Sequence, residues 1–286
     1  MIAVTGANGQ LGKLVIQHLL KLENVHGLVG IVRNKSQSEY LGTKNVLLRE
    51  ADYEAPDTLV SALEGVITLL LISSNAVGAR VKQHQNVVDA AVSAGVKHIV
   101  YTSILKADTT PMLMAEEHKA TEAYIQASGL KYTFLRNGWY SENYLQQLPL
   151  YLETGLMTSV SQTGRYSIAP RDDYAEAAAR IITSPILLKQ PIYELAGDDS
   201  FTLPELATQI VRASGKPLKH VTVTQESMLE ALLDAQLPDV FARALVDSEV
   251  QSEHGWLEDN SKMLSQILQR PTVPIERLLD TVLKAN

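Results

Sequence analysis

Six short apolar runs, at residues 2–5, 28–32, 46–49, 68–73, 98–102 and 132–136, divide the first half of this chain. Between them lie stretches with helical spacing, at 10–22, 56–63, 81–94 and 115–127. In the first of these Leu11, Val15, Leu19 and Leu22 recur at helical intervals, which lines up one apolar face. The runs are continuously apolar, as in Thr-Leu-Leu-Leu-Ile-Ser at 68–73, and do not alternate with polar residues. A strand of that kind is buried on both faces. Such strands, alternating with helices over short loops, predict an α/β fold with a doubly wound parallel sheet and right-handed crossovers. After about residue 137 the rhythm changes to helical segments at 173–183, 203–214, 225–235 and 275–285, punctuated by prolines. Strand candidates there are 191–195 and 220–224. The chain therefore reads as two domains, 1–137 and a smaller, mostly helical lobe at 138–286 that partly returns to the main sheet.

Composition removes several classes of function. The chain has no cysteine, so disulfides, thiolate zinc sites, iron–sulfur clusters and thiol nucleophiles are excluded. Acidic residues outnumber basic ones, 32 to 25, for a net charge of −7, and no basic run appears. Sequence-independent attraction to nucleic acid needs a basic face, so no nucleic-acid partner is expected. No apolar run is long enough to span a bilayer. Residues 1–6 lack a basic leader and read as a first strand, so a cytoplasmic protein is expected.

The strongest motif is Thr5-Gly6-Ala7-Asn8-Gly9-Gln10-Leu11-Gly12, a G-x-x-G-x-x-G turn between the first strand and the first helix. Glycines there permit a tight turn, close approach of a pyrophosphate and close helix–strand packing. The helix N-terminus adds unpaired N–H groups and partial positive charge. A ligand-free glycine turn would look similar, but this strand–turn–helix context favours a Rossmann-type dinucleotide site. The second strand ends in Arg33-Asn34-Lys35, with no acid to meet a ribose 2′-hydroxyl. A carboxylate would repel a 2′-phosphate, whereas a guanidinium grips one. Arg33 therefore points to NADP(H). Asp52 and Tyr53 follow the third strand where an adenine would lie, and Asp52 is placed to accept from its amino group.

These motifs, with residues 69–74 and 98–103, Tyr193-Glu194-Leu195-Ala196-Gly197 and above all Asn137-Gly138-Trp139-Tyr140-Ser141-Glu142-Asn143-Tyr144, carry a resemblance. Over nearly its whole length the chain resembles the NmrA-like group of atypical short-chain dehydrogenase/reductases, and within it the bacterial NAD(P)H:quinone oxidoreductases. The resemblance implies NADPH as cofactor, a small-molecule quinone as substrate, and a cleft between a Rossmann domain and a C-terminal lobe. Homodimers are common for such folds. It implies cofactor contacts at Gly6, Ala7, Asn8, Gly9, Gln10, Leu11 and Gly12, at Arg33, at Ser73, Ser74 and Asn75, at Asn137 through Glu142, and at Arg171. Asn75 stands where relatives often have serine, and Asn8 where threonine or serine is common. A relative in this group reduces triphenylmethane dyes, so a different flat acceptor is an alternative. Another is an NADP(H)-sensing regulator without catalysis.

The usual dehydrogenase acid–base pair, Tyr-x-x-x-Lys, is missing from its expected helix. Its one match, Tyr40 to Lys44, follows the second strand and reads as coincidence. The expected helix instead carries His118 and Glu122 one turn apart, a candidate proton donor and its orienter or else a solvated polar face. Quinone reduction tolerates the missing pair, because the hydroquinone anion is conjugated and a weak donor or water suffices. Hydride then passes directly from nicotinamide, with no flavin required. Tyr140 and Asn143 follow the sixth strand, at the sheet edge where open α/β folds bind ligands. With His118 they are the catalytic candidates, weighed against a packing role for Trp139 and Tyr144. Ser103-Ile104-Leu105-Lys106 mimics S-x-x-K without its companion motifs. None of the seven histidines stands at metal-ligand spacing.

Overall fold

The computed structural model describes residues 1–22, 25, 27–42 and 45–285. The chain begins β1 (Ile2–Val4), α1 (Gln10–Leu20), β2 (Leu28–Val32), α2 (Glu39–Gly42), β3 (Val46–Glu50), α3 (Pro56–Ala62), β4 (Thr68–Leu71), α4 (Arg80–Ser93), β5 (His98–Ile104), α5 (Leu113–Ala127) and β6 (Lys131–Asn137). It continues α6 (Glu142–Leu145), α7 (Leu148–Thr154), β7 (Leu156–Ser159), β8 (Arg165–Tyr166), α8 (Arg171–Thr183), β9 (Ile192–Leu195), β10 (Phe201–Thr202) and α9 (Leu203–Ser214). It ends with β11 (Lys219–Thr222), α10 (Gln225–Asp234), α11 (Asp239–Ser252), α12 (Met263–Leu268) and α13 (Ile275–Ala285).

Seven strands form one sheet in the order β3-β2-β1-β4-β5-β6-β9, and the pairs from β3 through β5 are parallel. The fold is therefore α/β and Rossmann-like. The order reverses between β1 and β4, and in open parallel sheets ligands bind beyond the strand ends at such a switch point. Burial on both faces holds for β2, whose five residues are all inside, but not for the run at 46–49: β3 is the edge strand and leaves Leu47 exposed. Ala3, Ile31, Leu69, Leu71, Ile99 and Tyr101 from the strands join Leu59, Val87, Val88 and Ala91 from α3 and α4 in one apolar cluster. Truncating one of its leucines to alanine costs about 2–5 kcal/mol. β4 stops two residues short of the run at 68–73. The Ile72 and Ser73 N–H groups leave the ladder and donate to Thr5 Oγ1 at 3.0 Å and Thr102 Oγ1 at 2.8 Å.

Two compact units divide the chain. The first holds Met1–Ile104, Glu117–Arg136 and Tyr174–Tyr193; the second holds Leu105–Glu116, Asn137–Asp173 and Glu194–Asn286. In the second unit β7 pairs with β11 in parallel and β8 with β10 antiparallel. α9 begins at a capping box, Thr202 with Glu205, and ends at Gly215 in the left-handed conformation. Those signals set its bounds. α11 was not readable: it buries chiefly Ala242, Ala244, Val246, Ser248 and Ser252, residues too small to give an apolar rhythm.

Candidate active site

In the first unit the glycine turn is as tight as its spacing implies. Gly6 has φ +57°, a conformation that side chains disfavour. A Cβ on Gly12 would lie 2.2 Å from Gly6 O and 2.9 Å from Ala7 Cα, so helix and turn meet backbone to backbone. The Gly9 N–H donates to Gly6 O at 2.8 Å, and Asn8 Nδ2 to Gln37 O at 3.4 Å. Among the described residues no side chain caps the start of α1, and its first turn, which includes Gln10 and Leu11, holds no acid. The N-terminus of α1 is thus an uncapped, electropositive helix end at a switch point.

Arg33 is exposed just past β2. The sequence put no acid beside it, but the sheet register does bring one to the end of β2. Val32 pairs with Glu50, whose Oε2 accepts the Lys35 N–H at 3.1 Å. Asp52 Oδ1 accepts the Glu54 N–H at 3.0 Å, closing a local turn. The Tyr53 hydroxyl lies 2.5 Å from Thr5 Oγ1 and 3.0 Å from Ile72 O, where it braces β1 against β4. Burial raises its pKa strongly, so it stays a phenol.

The loop after β4 is held residue by residue. Beyond the Ser73 amide, the Ser74 N–H donates to His84 Nε2 at 2.9 Å, and Arg80 Nε donates to Ser74 O at 2.6 Å. The Ser74 hydroxyl accepts the Ala76 N–H at 3.1 Å, and Asn75 O accepts from the Val77 N–H. Sequence reasoning missed Arg80 and His84. Their four-residue spacing on α4 marks a shared face, but nothing local says that this face meets residue 74.

His118 and Glu122 are not a pair. His118 is 6% exposed and its Nδ1 lies 2.8 Å from the Tyr101 hydroxyl. Burial first, then the charge of Arg80, holds its pKa well below the usual histidine value, so it is neutral. Glu122 turns instead to Arg136, at 2.7 and 3.0 Å, and accepts from the Ser103 hydroxyl at 2.6 Å. Helical spacing put the two side chains on one face, but a guanidinium from β6 captured the carboxylate. Losing one partner of such a buried ion pair costs about 3–5 kcal/mol. Thr43 and Lys44, within the Tyr-x-x-x-Lys match, lie outside the described residues, as does His26.

In the second unit the run after β6 folds around Arg171. The Gly138 N–H donates to Leu195 O at 2.7 Å, and residues 139–141 bond to Ala169 from both sides: its N–H to Trp139 O, its carbonyl from the Ser141 N–H. Glu142 receives the Arg171 backbone N–H on both carboxylate oxygens, at 3.0 and 3.1 Å, and faces its guanidinium at 3.8 Å. One carboxylate thereby caps α8 and pairs with its first side chain. Arg171 Nη2 donates to Asn143 Oδ1 at 3.2 Å, and the guanidinium lies 4.9 Å from the centre of the Tyr140 ring. Asn137 Nδ2 donates to the Tyr140 hydroxyl at 3.4 Å. Burial raises the Tyr140 pKa against the opposing pull of Asn137 and Arg171, so Tyr140 is a protonated donor. With Oδ1 committed to Arg171, Asn143 turns its Nδ2 donors elsewhere. Asn137 Oδ1 and Ser141 Oγ are buried with no hydrogen-bond partner among the described residues. Buried polar atoms are seldom left so. Tyr144 packs edge-on to Tyr166, ring centres 6.0 Å apart, a packing role.

Among the described residues no cluster of histidine, aspartate or glutamate could hold a metal, and no helix is long and apolar enough to cross a membrane.

The NmrA-like family profile matches residues 1–273. Quinone oxidoreductase 2 of Escherichia coli (strain K12) is 44% identical over 286 residues, covering all of both chains. The crystal structure of an E. coli NADPH-dependent quinone oxidoreductase complexed with NADPH superposes with a TM-score of 0.93 over 99% of each chain. The Citrobacter sp. triphenylmethane reductase complexed with NADP(H) superposes at 0.91, with 35% identity over the whole of both chains.

Proposed function

This chain belongs to the NmrA-like family, matched over residues 1–273, and from that premise we propose that it is an NADPH-dependent, flavin-free reductase of quinones. The observation that carries the proposal is the 44% identity to quinone oxidoreductase 2 over the full length of both chains.

The residues present fit the cofactor. Gly6, Gly9 and Gly12 hold side chains away from a turn that a Cβ at Gly12 would fill. The uncapped start of α1, from Ala7 to Leu11, would take the pyrophosphate, with Arg33 at the 2′-phosphate and Asp52 at the adenine. Ser73, Ser74 and Asn75 would line the sugar and nicotinamide side. Asn137 Oδ1 and Ser141 Oγ are orphan buried atoms of the kind a polar ligand satisfies, with Gly138, Trp139 and Glu142 shaping the backbone around them.

When bound, NADPH supplies the hydride. In total, NADPH, quinone and one proton give NADP⁺ and hydroquinone. The chain's part is to hold the flat ring and to meet the charge that develops on its oxygen. Asn143 Nδ2 and the Tyr140 hydroxyl are the donors for that oxygen, and the Arg171 guanidinium stabilises it electrostatically. Tyr140 is too weak an acid to part with its proton, so water supplies it. His118, neutral and engaged by Tyr101, acts as support for β5 in this reading. The same reading keeps a cytoplasmic protein of a fold in which homodimers are common; the acidic net charge of −7 supports the expectation of no nucleic-acid partner.

The test is NADPH absorbance in the presence of a simple benzoquinone. Oxidation well above the uncatalysed rate is expected, and faster with the quinone than with a triphenylmethane dye. A dye preference would move the substrate to the alternative acceptor. NADPH binding without turnover of either compound would leave the regulatory reading standing.

A further inference from the structure

The geometry of α4 assigns a task to two buried residues that no motif marks. Arg80 and His84 stand four residues apart, hence on one face of the helix. That face presents one donor and one acceptor, and both go to a single residue of the neighbouring loop. Arg80 Nε donates to Ser74 O at 2.6 Å, and His84 Nε2 accepts the Ser74 N–H at 2.9 Å. An imidazole nitrogen accepts only when it carries no proton. His84 meets that condition in two ways. It is fully buried, which with the charge of Arg80 lowers its pKa to about 3. Its Nδ1 lies 3.0 Å from Thr121 Oγ1, whose own proton goes to Glu117 O at 2.8 Å, so Nδ1 is the protonated nitrogen. Glu117 then binds the far end of the loop, accepting the Gly78 N–H at 3.2 Å and facing Arg80 at 3.7 Å.

The loop so held is a wall of the glycine turn. Ile72 Cβ lies 3.8 Å from the position a Cβ on Gly6 would occupy, and β1 and β4 are the pair at which strand order reverses. We propose that His84, with Arg80, is a positioning residue that locks the Ser74 backbone in the form that receives the dinucleotide. The proposal rests on the NADPH reading above. His84 touches no reacting atom in it.

The experiment compares His84→Gln and His84→Asn. Glutamine carries an amide oxygen at about the reach of Nε2 and restores the Ser74 bond. Asparagine reaches only as far as Nδ1, so it can serve Thr121 and leaves Ser74 unpaired. Both change the same buried volume in the same direction, so both should lose some thermal stability. Affinity separates them. NADPH binding by tryptophan fluorescence, with no quinone present, should weaken roughly five- to tenfold in His84→Asn, the equivalent of one hydrogen bond. His84→Gln should stay within about twofold of wild type on the same reckoning. KM for NADPH should follow the binding data, while kcat at saturating NADPH stays unchanged. Equal affinities in the two variants, whether both wild-type or both reduced, overturn the proposal, because a purely structural histidine would not distinguish them. If either variant fails to fold, Thr121→Val, which removes the partner of Nδ1, gives the same reading: unchanged NADPH affinity overturns the proposal. Wild-type protein that does not bind NADPH fails the cofactor reading itself, and the positioning role with it.

Discussion

The glycine turn of the first unit and the Arg171 cluster of the second are built from different materials. The turn is backbone: three glycines, a helix end, and contacts so close that a Cβ at Gly12 would sit 2.2 Å from a carbonyl oxygen. The cluster is side chain: Tyr140, Glu142 and Asn143, which meet Arg171 from 28 or more residues away in sequence and are held by charge and hydrogen bonds. A backbone site tolerates no added atom but needs no particular functional group. A side-chain site tolerates small changes of shape but depends on each group's chemistry. If the proposed roles hold, damage to the turn should appear in cofactor affinity, and damage to the cluster in turnover.

The largest effect is expected at Gly12→Ala. The new methyl must push the start of α1 away from the turn. Overpacking of about 1–3 kcal/mol corresponds to roughly 5- to 150-fold weaker NADPH binding, with a lower melting temperature. Titration of NADPH fluorescence alongside a thermal melt checks both. Wild-type affinity in Gly12→Ala would break the comparison at its root.

Arg171→Met comes next. It keeps the side chain's length but removes the charge facing Glu142, the bond to Asn143 and the cation over Tyr140. A loss of about 1–2 kcal/mol of transition-state stabilisation lowers kcat about tenfold, and any loss of NADPH affinity from the cofactor contact expected at Arg171 stays well below that at Gly12. Steady-state kinetics at saturating NADPH measure it. A loss of NADPH affinity as large as at Gly12 would show that the two regions do not divide the work.

Arg33→Ala should be the mildest. The guanidinium is exposed and Glu50 stands at the end of the same strand pair. Solvent screening limits such a contact, so NADPH should weaken about fivefold and NADH hardly at all. The ratio of the two dissociation constants sharpens the comparison, since Arg33 is the side chain proposed for the 2′-phosphate, beside a turn made of backbone. Equal losses for both cofactors would remove it from the 2′-phosphate.

The same contrast explains what was legible in the sequence. Continuously apolar runs named the strands of the sheet, because a strand buried on both faces has little freedom of composition. The glycine turn was legible because its constraint is steric and local. The bond from Glu122 to Arg136 was not, because helix spacing says which residues share a face and nothing about what a neighbouring strand will offer them. His84 was invisible for the same reason: its partner is a backbone amide, and a backbone amide leaves no mark on composition. Residues 72 and 73 read as strand because they continue the apolar run from 68, yet the hydroxyls of Thr5 and Thr102 drew their amides off the ladder. Tyr140 and Asn143 emerged from their place after the sixth strand together with a family resemblance. Nothing in their spacing foretells that Arg171 will lie over one and bond to the other.

A turn made of peptide groups has one further consequence. Peptide N–H groups and helix ends do not titrate, and the imidazole beside the loop stays unprotonated down to about pH 3. The protein's hold on a dinucleotide through these groups therefore does not vary across ordinary pH. What varies is the ligand: a 2′-phosphate dianion takes up one proton near pH 6, by analogy with other phosphate esters. Acidification would thus erode the attraction between that phosphate and Arg33, drawing NADPH toward NADH in affinity while the backbone part of the grip is left as it was.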